Sequence, residues 1–145
     1  MKKYIFLLLL LLIFPLIGKA ETEVIGAGSE GSTWTDRGDI SAADFAGGDL
    51  TIDNAWHDLD LSSIVPAGAT RVLLRLYVDP GTALYRVVAF RKNGNTNTAN
   101  NSGLILEADT ISLTQYQVVC DSNRVIEYLV NDTLTTINIT VVGWY

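Results

Sequence analysis

The single histidine, His57, sits beside Asp58 and Asp60, with Ser62 and Ser63 close behind. A serine hydrolase needs an imidazole within hydrogen-bond reach of a hydroxyl, together with donors for an oxyanion. In an extended chain, however, side chains alternate, so His57 falls with Leu59 and Leu61 while both aspartates point the other way. His57 is therefore expected to be structural, and the chain is expected not to be an enzyme. Asp53, Asp58 and Asp60 are oxygen donors of the kind calcium takes, but their spacing matches no EF-hand or RTX loop. They read better as solvated turn and edge carboxylates, and neither a metal nor a cofactor is expected. Cys120 ends an apolar stretch with no second cysteine to pair with, which suits a buried thiol acting as a small hydrophobe.

Binding chemistry has stronger candidates than catalysis. Trp34 and Trp56 fall near expected strand edges, where an indole offers a flat face to a sugar ring or fills a core. Residues 93–103 hold Asn93, Asn95, Asn97, Asn100 and Asn101, a polar loop dense in amide donors and acceptors. Loops on a rigid scaffold are where binding residues concentrate, so this one is the leading contact surface. Arg37-Gly38-Asp39 matches the integrin tripeptide, and sequons occur at Asn100, Asn131 and Asn138; both are short patterns expected by chance.

The segments that must position these residues begin after a leader. Met1-Lys2-Lys3, an apolar run over residues 4–17 and Gly18-Lys19-Ala20 form the charged start, core and small-residue cleavage site of a secretory signal peptide over residues 1–20. The apolar run is shorter than the ~20 residues a helix needs to cross a bilayer. Cleavage would leave 125 of the 145 residues, carrying seven basic and sixteen acidic side chains, a net charge of −9. That balance argues against nucleic acid, and against a membrane surface once the leader is gone. The product is expected to be secreted, extracellular or at the cell surface.

Beyond residue 20, helical periodicity is nearly absent; residues 41–45 are at most one helical turn. Alternation is frequent. Val72, Leu74, Leu76 and Val78 share one face while Arg71, Arg75 and Tyr77 share the other, and residues 84–91, 125–130 and 137–144 are rich in β-branched or aromatic side chains. Weaker strands are expected at residues 23–25, 50–53, 56–61, 104–107 and 115–120. Turn sequences such as Pro66-Ala67-Gly68 and Asp79-Pro80-Gly81 separate them. Eight or nine short strands at this spacing indicate an all-β fold, an antiparallel β-sandwich or jelly roll over residues 34–145. Residues 21–33, small and Gly/Ser-rich, are expected to form a flexible N-terminal arm. One alternative arises at the C-terminus, where Ile137, Ile139, Val141, Gly143 and Tyr145 alternate toward a terminal aromatic, as in a small outer-membrane β-barrel.

Four segments, residues 56–69, 90–98, 120–128 and 137–145, together resemble the uncharacterised β-sandwich modules of bacteriophage tail-fibre and virion-associated proteins. The likeness covers about residues 50–145 and is one of pattern. It implies a protein without catalytic machinery that assembles into structural parts or contacts cell-surface glycans. With the leader, the expectation is a secreted structural or adhesive protein whose main partner is itself, in a homo-oligomer or extracellular fibre. The arm offers one route, donating a strand to a neighbour's sheet edge. The alternative is a lectin-like module in which Trp34 or Trp56 and the asparagine loop hold a cell-surface glycan.

Overall fold

The computed structural model describes residues 33–145. The leader and the arm up to residue 32 lie outside the described residues, and so does the strand expected at residues 23–25. Nine strands follow: β1 Thr35–Asp36, β2 Phe45–Ala46, β3 Trp56–Asp60, β4 Arg71–Asp79, β5 Arg86–Lys92, β6 Ser102–Leu106, β7 Ser112–Val119, β8 Val125–Val130 and β9 Thr136–Trp144. They make two antiparallel sheets. The first runs β1-β9-β4-β7 with β2 also on β9, and the second runs β3-β8-β5-β6.

From β2 onward the pairs nest. β2 pairs with β9, β3 with β8, β4 with β7 and β5 with β6. The chain is in effect one long hairpin of eight strands, rolled so that its halves stack as two sheets, which is a jelly roll. The tip of that hairpin is the asparagine-rich β5–β6 loop. The expected sandwich is therefore the observed one.

The core lies between the sheets and is filled by the alternation seen in the sequence. Val72, Leu74, Leu76 and Val78 of β4 are fully buried, facing Phe90 and Val88 of β5 and Ile126 and Val130 of β8. Burying side chains of this size contributes about 1.5–3 kcal/mol each. The opposite face of β4 leaves Arg71 and Arg75 exposed.

Several local expectations are corrected. Residues 50–53 are not a strand: they follow a 3-10 turn at Gly47–Asp49, Leu50 drops into the core, and the Thr51 amide donates to the Tyr128 hydroxyl. Residues 41–45 form no helical turn, because Asp44 is drawn onto β9, accepting from the Val141 amide and from Arg37, and Phe45 enters β2. β5 starts at Arg86 and not at residue 84, since Tyr85 takes a left-handed backbone (φ 59°) that no strand continues through.

The barrel is overturned by the topology, because β7 ends one sheet and β6 ends the other, leaving both edges open. The alternation at the C-terminus also breaks. Gly143 pairs with Leu73 but Val141 with Leu74, so Val142 is bulged out and Trp144 turns inward beside Val72.

Candidate functional site

The two sheets part at a mouth beside the β5–β6 loop, and this mouth holds a cleft of about 230 Å³. Its floor comes from the inward faces of β5 and β7, at Phe90 and Val118. Tyr116 packs against Phe90 with ring centroids 5.9 Å apart and fixes the floor from beneath. Along β5, Val88, Phe90 and Lys92 follow one another on the inward face. Lys92, the last residue of the strand, emerges at the mouth and is exposed.

Amides form the walls. Asn95 sits in a turn closed by its own N–H to the Lys92 carbonyl, and Asn100 ends a 3-10 turn at Thr98–Asn100. Ser102 at the start of β6 completes the polar lining, and Gln117 borders the cleft from β7 with its side chain on the outward face of that strand. No carboxylate lines the cleft; Arg91 and Lys92 are its charged groups. Arg91 is already engaged, donating from Nε to Glu127 with its guanidinium 4.0 Å from the centre of the Trp56 ring. Such a cation–π contact contributes about 0.5–2 kcal/mol. Lys92 has no ion-pair partner among the described residues.

Of the residues singled out in the sequence, Asn95 and Asn100 enter the cleft. Asn93 and Asn97 do not line it. The Oδ1 of Asn101 is buried without a hydrogen-bond partner. Trp56 touches the site only through Arg91, and one face of its ring is taken by that guanidinium. Trp34 lies three strands from β7, where it packs on Tyr145 at 5.1 Å between ring centroids. It fills a notch that only a glycine at position 143 leaves open, since a Cβ there would strike the indole.

His57 does lie on the inward side of β3, opposite Asp58 and Asp60. Its Nε2 meets Asp53 Oδ1 at 2.8 Å, and its ring packs on Tyr128 at 5.7 Å. That hydrogen bond, helped by the Ala55 amide, holds the Asp53 carboxyl below the usual range. Ser62 turns to Asp60 instead, whose carboxyl is lowered by the hydroxyl and then the amide of that serine. Among the described residues no three metal-binding side chains converge, and the calcium candidates Asp53, Asp58 and Asp60 each go a separate way. Cys120 is 5% exposed with its Sγ 3.4 Å from the Ala69 carbonyl, and burial pushes the thiol pKa up. Arg37 is folded onto β9 and Asp44, so the integrin-like tripeptide does not present its guanidinium.

No family model and no curated protein matches the chain. The tail-fibre resemblance rests on the sequence pattern alone, and the fold and its surfaces carry the functional reading.

Two features were missed in the sequence. Lys92 and Val118 belong to strands of different sheets, and only the rolled hairpin brings them to one cleft. The other is the open edge of β7. Residues 110–120 contain no charged side chain at all, a signal that was present and readable.

Proposed function

We propose that the chain is an exported, non-enzymatic jelly roll with a structural or adhesive role, joining copies of itself along β7. The observation that carries this is the outward face of β7. An edge strand offers a row of unpaired N–H and C=O groups to any other strand, and soluble proteins ordinarily guard such rows with charge, proline or brevity. β7 has eight residues and none of these guards. Its outward side chains are Leu113, Gln115, Gln117 and Val119, with Leu113 69% and Val119 43% exposed.

That row is also its own complement. Two β7 strands set antiparallel about a twofold axis at Tyr116 place Leu113 against Val119 of the second copy, and Gln115 against Gln117. Apolar meets apolar, amide meets amide, and no like charges face each other. The two five-stranded sheets then run on as one. Size-exclusion chromatography with light scattering on residues 21–145 tests it. A dimer or a larger species is expected at micromolar concentration, and a clean monomer at all concentrations removes the reading.

A second reading, binding of a cell-surface glycan, is favoured by the amide-walled cleft. Side-chain amides donate and accept together, as vicinal sugar hydroxyls require, and an apolar floor suits the C–H face of a ring.

A further inference from the structure

We infer that the cleft takes a hexuronic acid residue, with the sugar carboxylate at Lys92 and the ring hydroxyls on the amides. This rests on the glycan-binding reading and adds to it the charge of the ligand.

The chain carries a formal net charge of −6, yet this cleft is lined without a carboxylate. Of its two cations, Arg91 is spent on Glu127 and Trp56, at 11% side-chain exposure, so its charge is already neutralised in place. Lys92 is the charge left over. It is exposed, stands at the mouth, and has no anionic partner among the described residues. An ammonium is a compact donor for a carboxylate oxygen and makes the stronger, charge-assisted kind of hydrogen bond. Asn95, Asn100 and Ser102 surround the same opening with groups that pair with hydroxyls, while Val118 and Phe90 supply an apolar floor. A neutral sugar would leave Lys92 unanswered. A small carboxylic acid without hydroxyls would leave the amides so. A hexuronic acid, with its carboxylate at C5 and hydroxyls around the ring, answers both.

Uronic acids reach a secreted protein as free sugars or within polysaccharide, and the experiment separates the two. Ligand-observed NMR on the whole exported protein would compare the methyl glycosides of glucuronic and galacturonic acid with those of glucose and galactose, alongside polygalacturonate. Each pair differs only in a carboxylate replacing a hydroxymethyl group. The uronides are expected to bind at least tenfold more tightly than their neutral partners, and Lys92→Gln to remove that preference. Binding should also weaken as salt is raised. Polygalacturonate binding without monosaccharide binding would assign the site to a polymer chain and keep the uronate. Equal binding of acidic and neutral sugars, or a preference that survives Lys92→Gln, overturns the inference but spares the glycan reading. If no sugar binds, both fall. Because Lys92 is exposed, the variant is expected to fold as the parent does, and matching melting curves check this.

Discussion

The two long sides of this jelly roll end in opposite ways. On one side, β3 closes the second sheet with Asp58 and Asp60 on its exposed face, and residues 38–70 contain six aspartates but no lysine or arginine. A second copy approaching that edge meets its own charge. On the other side, β7 closes the first sheet with amides and apolar groups alone. β1 and β2 are two residues each, too short to serve as templates, and β6, the other open edge, has five residues against the eight of β7. The contrast shows that edge protection here is selective. A protein with repulsive charge to spare has placed none of it along β7, as the proposed pairing requires.

The comparison can be broken or sharpened at four points. The largest effect on folding is expected at β6, the neighbouring open edge, from Gly103→Val. A Cβ at that position would come within 2.5 Å of the Val88 carbonyl and 2.8 Å of the Ala89 backbone, which cannot yield as a side chain does. A loss of about 1–3 kcal/mol is expected from urea unfolding, as for other overpacked sites. Next comes Gln115→Lys with Gln117→Lys, which sets like charges facing each other across the proposed twofold. Assembly should weaken at least tenfold by light scattering, while stability stays within about 0.5 kcal/mol as for ordinary surface changes. A smaller effect of opposite sign follows from Asp58→Thr with Asp60→Thr. Stripped of its charge, β3 should begin to associate, giving species beyond those of the parent, and a monodisperse product would show that charge is not what guards that edge.

The smallest effect concerns pH. The His57 ring and the Ala55 amide hold the Asp53 carboxyl below its usual range. A carboxyl depressed by folding stabilises the native state above its unfolded value of about 3.9, and that contribution disappears as the pH falls through the lower folded value. Asp53→Asn should therefore lower the urea midpoint slightly at pH 7, and the difference should vanish in acid. A difference that persists there would assign the effect to packing.

Regular alternation made most of the fold legible. β4, β8 and β9 each alternate over six residues or more, and their faces follow directly from side-chain spacing. β1 and β2 were illegible because two residues carry no period. Leu50 was misread for a related reason: its burial is decided by the 3-10 turn before it and by Tyr128, 78 positions later in the sequence. The site was half legible. Asn95 and Asn100 stand out in any polar loop, whereas Lys92 and Val118 are ordinary strand residues until the roll brings them to one cleft. For Trp34 and Trp56 the residue type was informative but its surroundings were not, since the neighbours that occupy them, Tyr145 and Arg91, arrive from distant strands.

The nesting of strand pairs also orders events in time. Phe90 meets Ser102 across a short loop, but Phe45 must find Ile139, with the whole of the intervening hairpin between them. Each outer pair closes a longer loop, at an entropy cost that grows with the logarithm of its length, unless the inner pairs have already shortened the search. Folding is then fastest from the asparagine loop outward, and slow overall for a chain of this size, as contacts so distant in sequence require. Read backward, the same order makes β1 and β2 the first elements to open. Brief fraying there uncovers β9, and among the described residues the earliest protease cut is expected within residues 37–44, long before the core is lost.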